Sequence, residues 1–115
     1  MKLPRETDEE REARASAMRA AARVAAEVPL RCVETCLEVI QAAESLAGRC
    51  NMNASSDLSV ASLLAEAAAR GAAANVRVNL PSVGAAAWAA ETETRVADLL
   101  AQITEAASSL SLIHI

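Results

Sequence analysis

The chain has 115 residues, 53% of them hydrophobic and 29 of them alanine, with one tryptophan and neither phenylalanine nor tyrosine. That composition, with only three glycines and three prolines, describes one small all-helical domain and argues against a β fold. The net charge of −4 and a pI near 5.0 exclude an electrostatic footprint for nucleic acid, and the apolar runs are too short to span a bilayer.

The opening "MKLPRETDEE" turns acidic at once, unlike a signal peptide. Thr7 has the features of an N-cap, with Glu10 three residues on to complete a capping box. Asp8, Glu9 and Glu10 then suit the positive end of the helix dipole. The first helix is expected from about Asp8 to Glu27, with Ala15, Met18, Ala22 and Ala25 as its inner stripe. Pro29 is expected to end or kink it.

A second helix carries Val33, Cys36, Leu37, Ile40, Ala43 and Ala47 on one face, and Gly48 supplies its C-terminal cap. "RCNMNAS" reads as a loop. Ser55 or Ser56 caps the third helix, with Asp57 in its first turn.

The third helix, about residues 56–80, is the most informative. Ser59, Ser62, Glu66, Arg70 and Arg77 fall on one narrow stripe. Glu66 and Arg70 are spaced as an i,i+4 pair, so the stripe reads as an ion-pair ladder, with contact to an anionic ligand as the alternative. The rest of the circumference is almost entirely small and apolar, which predicts a buried central helix. Asp57, Asn75 and Asn79 lie opposite the charged stripe, among Leu64, Ala68 and Gly71, and Pro81 ends the helix. Ser82 is a candidate cap for a fourth helix over residues 84–109, with Trp88, Thr92, Val96, Leu99, Ile103 and Ala106 as its seam. The expected fold is an all-α bundle of about four helices around the central one, with no repeat or domain boundary.

Residues 110–115, "LSLIHI", break the amphipathic pattern. They resemble an in-frame translation of a sequencing-library adapter, so the domain is expected to comprise residues 1–109. The alternative is an ordinary apolar helix end, which Leu110 and Ile113 would fit. His114, the one histidine, is given no chemistry.

Cys32 and Cys36 share a helix face, but a metal site needs two further ligands and only Cys50 and His114 are on offer. All three cysteines are read as reduced thiols, small and buried at 32 and 36, with no metal and a cytoplasmic location. A cysteine nucleophile would lack a histidine base, and no glycine-rich phosphate loop is present. Asp57 and Asn79 are explained as residues that satisfy helix ends. Asn75 is not, because it lies a turn inside the helix on an apolar face, where a buried amide needs a neighbouring loop or a ligand. Asp57 and Asn75 are 18 residues apart, about 27 Å along a straight helix, so they cannot share one small pocket.

"KLPRETDEEREAR", "AAEVPLRCVETCLEVIQAAESLA" and "NMNASSDLSVASLLAEAAARGAAANVRVNLPS" resemble, in that order, the cyclodeaminase/cyclohydrolase family of folate enzymes. The resemblance runs from Lys2 to about Ser109. Cys50 stands where the family usually has glycine, and Val83-Gly84 where it often has an acidic residue. The resemblance implies a multihelical, usually dimeric fold and a tetrahydrofolate derivative as substrate, with no metal or further cofactor. It implies one of two reactions. Formiminotetrahydrofolate is converted to methenyltetrahydrofolate with release of ammonia, or methenyltetrahydrofolate is hydrolysed to formyltetrahydrofolate. These residues do not separate the lyase from the hydrolase.

Asn75 and Asn79 are then expected to help line the pterin pocket, with Asp57 as a further substrate-binding residue. Family members carry additional helices before the "KLP" segment, including a glycine-rich turn and the aspartate regarded as the acid/base. The chain is therefore expected to be a C-terminal portion without the catalytic carboxylate. The competing reading is a non-catalytic helical oligomerisation or scaffold module.

Overall fold

The computed structural model describes residues 7–49 and 54–113, with side chains to residue 110. The "MKLPRE" segment, residues 50–53 of the expected loop, and His114 lie outside the described residues. Three α-helices and one 3-10 turn follow one another: α1 (Asp8–Leu46), α2 (Ser55–Asn79), the turn Leu80–Ser82, and α3 (Ala86–Ile113). No strand occurs among the described residues.

The first two expected helices are one. Helix α1 runs unbroken for 39 residues through Pro29. Proline removes one hydrogen bond, the one its missing N–H would have made to the Ala25 carbonyl, and its ring crowds that carbonyl. Strong helix formers on both sides carry the helix through that defect, and a donor from α2 approaches the orphaned carbonyl.

Thr7 caps α1 as the sequence reading expects, since the Glu10 backbone N–H donates to Thr7 Oγ1 at 3.1 Å. The return bond from the Thr7 N–H to the Glu10 carboxylate, which would complete a capping box, does not occur among the described residues. At its C-terminal end the Ala47 N–H bonds the Ala43 and Glu44 carbonyls, and Gly48 takes φ +80 as the chain turns. Ala54, rather than a serine, occupies the N-cap position of α2. Ser82 caps nothing, because it belongs to the 3-10 turn and α3 begins at Ala86. Between them Gly84 adopts φ +73, a backbone conformation that favours glycine, and the Arg19 side chain lies where a β-carbon would project and would have to move aside for one.

The helices run up, down and up. The far end of α2 lies beside Ala25, and Arg77 and Arg70 of α2 meet Glu93 and Thr104 of α3. Near the start of α3, Trp88 lies under the Arg23 guanidinium, 4.5 Å from ring centre to charge.

The core combines Val33, Leu37 and Ile40 of α1 with Val96, Leu99, Ile103 and Leu110 of α3. Helix α2 contributes Val76 and mostly alanines, at 65, 69, 72 and 73. Five of the six residues expected on the seam of α3 are buried, and Trp88 is half-buried. On α1, Ala26 is buried, but Met18 of the expected stripe is 66% exposed, and every residue from Asp8 to Arg14 is exposed.

Helix α2 is less buried than its composition predicts. It packs on both neighbours, yet Val60, Leu63, Leu64 and Val78 are more than half exposed. The molecule measures 69 × 31 × 16 Å, and that narrow section leaves an open side along α2 that three helices cannot cover.

Candidate functional site

The site grows out of the defect at Pro29. The Asn79 Nδ2 group donates to the Asn75 carbonyl at 2.8 Å and reaches the Ala25 carbonyl at 3.5 Å. That second carbonyl is the one Pro29 leaves without its helical donor. An asparagine at the end of α2 therefore partners a break in α1, 54 residues away in sequence.

Around this link the two helices part into a groove of ≈ 560 Å³, walled by Ala25, Val28, Pro29 and Cys32 of α1 and by Ala68, Ala72, Asn75 and Asn79 of α2. A second hollow of ≈ 510 Å³ continues it along the same helix pair, sharing Cys32 and Ala68 and adding Val39 and Leu64 among others. The result is one channel, polar at the amide end and apolar at the other.

The structure thus brings Asn75 and Asn79 together and leaves Asp57 apart, exposed in the first turn of α2. It also corrects the burial expected of Asn75. Its side chain is exposed on the open side of α2, and among the described residues its amide makes no hydrogen bond. The sequence placed Asn75 correctly on the wheel, but whether that face is covered depends on what stands against it.

The charged stripe behaves as a ladder. Arg70 Nη2 donates to Glu66 Oε1 and to Thr104 Oγ1, each at 3.1 Å. Arg77 Nε donates to both oxygens of Glu93, at 3.0 and 3.1 Å. Both guanidiniums are thus engaged across the α2–α3 seam. A smaller cleft of ≈ 360 Å³ follows this seam, walled by Ser59, Ser62, Glu66, Thr104 and Ser108 among others.

Sequence reasoning missed Cys32 as a wall residue. It also missed the link from Ala25 to Asn79. The i−4 rule at Pro29 identifies the orphaned carbonyl from sequence alone, but the register that brings position 79 to it is tertiary.

Residues 1–98 match the family model described as formiminotransferase-cyclodeaminase. The chain belongs to this family. Among its relatives, the methenyltetrahydrofolate cyclohydrolase of Methylorubrum extorquens is 44% identical over 100 residues, which cover 87% of this chain and 48% of that protein. The formimidoyltransferase-cyclodeaminases of Sus scrofa and Mus musculus are 38% and 37% identical over 100 residues, 87% of this chain and 18% of theirs. The chain thus spans about half the length of the first of these curated relatives and under a fifth of the other two. Both the Pro29 defect and the amide pair lie inside the segment that matches the formiminotransferase-cyclodeaminase model.

Proposed function

We propose that the chain serves folate one-carbon metabolism by forming one wall of a folate-binding site. The reaction is either conversion of formiminotetrahydrofolate to methenyltetrahydrofolate with release of ammonia or hydrolysis of methenyltetrahydrofolate to formyltetrahydrofolate. The observation that carries the reading is the amide pair at the polar end of the α1–α2 groove. Asn79 is held by the Asn75 and Ala25 carbonyls, while the exposed Asn75 amide makes no hydrogen bond among the described residues. An amide that can both donate and accept matches the amide-like edge of a pterin, and an apolar channel beside it suits the flat ring. The printed names of the relatives point to the same substrate class.

No carboxylate or imidazole is among the described residues of that groove. The wall therefore orients substrate, and proton transfer falls to groups outside it. Asp57, about 27 Å along α2 from Asn75, would serve another part of the bound molecule.

Calorimetric titration of the chain with 5-formyltetrahydrofolate tests the reading. Asn75→Ala is expected to weaken binding about tenfold, the worth of one or two hydrogen bonds. It should leave the melting temperature unchanged or slightly higher, because alanine is the better helix former. Unchanged affinity would reject the amide pair as a folate wall. The chain alone is expected to release no ammonia from formiminotetrahydrofolate, and turnover above background would overturn that division of labour.

One observation favours a second reading, a helical oligomerisation or scaffold role. The open side of α2 presents Val60, Leu64 and Val78, a surface suited to another copy of the chain as a homodimer or higher oligomer. A cytoplasmic location belongs to the proposal as well, supported by the free thiols at Cys32 and Cys36. No described helix is long and apolar enough to cross a membrane.

A further inference from the structure

Two thiols stand one turn apart on α1, and the folate reading uses neither as a pair. Cys32 is exposed, Cys36 is buried, and both are free. Both face the apolar stretch of the channel, beside Val39, Ala61 and Leu64. Four residues apart on one helix, they lie on the same face, one turn above the other.

Direct closure to a disulfide is disfavoured. Residues at i,i+4 hold their Cβ atoms about 5–6 Å apart, whereas a disulfide needs about 3.8 Å. A single atom bonded to both sulfurs spans that gap without bending the helix. Zinc is a poor candidate, since it takes four ligands and no group of three or more His, Cys, Asp or Glu side chains that could hold a metal occurs among the described residues.

A monovalent soft cation on two thiolates would leave a net negative charge against an apolar wall, which is costly. Burial pushes the Cys36 thiol up, and Cys32 beside it adds to the effect, so the surroundings favour sulfur without charge. A trivalent arsenic centre satisfies both demands, because its dithiolate product is neutral and its organic group can lie in the channel.

We propose that Cys32 and Cys36 form a bidentate capture site for trivalent organoarsenicals. One R–As=O and two cysteine thiols give R–As bonded to both sulfurs plus water. Two S–H bonds break and two As–S bonds form. The arsenic oxygen leaves as water with both protons, and nothing is oxidised or reduced. The site stands on the thiol pair alone and does not require the folate reading.

The test uses the full chain carrying Cys50→Ser, so that only the pair can react, titrated with phenylarsine oxide. Intact-mass measurement is expected to show one adduct per chain, heavier by the reagent less one water. Both thiols should become resistant to iodoacetamide. The adduct should survive excess glutathione and be released by 2,3-dimercaptopropanol. Cys32→Ser changes an exposed position and leaves the fold intact. It should weaken capture about 10²-fold, because the second bond loses its intramolecular advantage. Equal affinity in the Cys32→Ser chain, or an adduct that leaves one thiol open to alkylation, would overturn the proposal.

Discussion

Asn79 ties two helices together at the place where one is damaged. Its Nδ2 group lies 3.5 Å from the carbonyl that Pro29 orphans, so its contribution depends on the proline being there. Pro29→Ala restores the missing helical hydrogen bond and relieves the ring contact, which is expected to stabilise the chain by up to about 3 kcal/mol. In the natural background Asn79→Ala should cost about 0.5–1 kcal/mol, modest because the bond is long and the site half-open. In the Pro29→Ala background the same substitution should cost close to nothing, since the carbonyl then has a donor of its own. Urea denaturation of the four proteins gives the coupling energy directly. Equal costs in both backgrounds would show that Asn79 acts only within α2. If ligand affinity falls in Pro29→Ala while stability rises, the strain at Pro29 serves the groove.

At the scale of the helix, local signals were legible and coverage was not. The Thr7 cap, the turn at Gly48 and the seam from Thr92 to Ala106 follow from spacing and backbone chemistry that each segment carries within itself. Of the two outcomes expected at Pro29, a helix end does not occur, because the proline's cost is local while the length of helix able to absorb it is not. Asn75 was misread as buried because a wheel shows which residues share a face, never what lies against that face.

Helix α1 exposes the consequence, since its first turns are capped at Thr7 yet every residue from Asp8 to Arg14 is exposed. Thr7→Ala is expected to remove about 1 kcal/mol of cap stabilisation. That loss should appear as faster hydrogen exchange in the first two turns, with global unfolding unmoved, because those turns open independently of the core. Ile40→Ala, at a position with no exposed surface, should lower global stability by 2–5 kcal/mol. A comparable global loss in Thr7→Ala would mean that the N-terminal turns are coupled to the core after all.

The whole molecule is too extended for its length. Its radius of gyration is 20.0 Å, against about 13 Å for a compact domain of 115 residues. Its accessible surface is 7746 Å², against roughly 6000 Å² for a compact monomer of 11.9 kDa. The excess exceeds the roughly 800 Å² that one partner contributes to a standard interface. Part of that excess is apolar and lies on one side of α2, where Leu64 and Val78 are 66% and 71% exposed. On a wheel these two lie within about 40° of each other, with Ala68, Gly71 and Asn75 between or beside them, so the face continues the candidate binding groove.

Association through that face would bury apolar surface and close the channel from the solvent side at once. Sedimentation velocity of the chain is expected to show concentration-dependent oligomers in the micromolar range. Leu64→Lys, Val78→Lys and especially the double variant should shift the population to monomer, because a lysine ammonium resists burial against an apolar partner surface. Leu63→Lys, equally exposed but turned about 100° from Leu64 and about 60° from Val78, toward the α3 side of the helix, is the control and should leave association less affected than either. Equal loss in the three single variants would assign the effect to net charge. A wild-type chain that stays monomeric at high concentration would show that the open side of α2 is stable in water on its own.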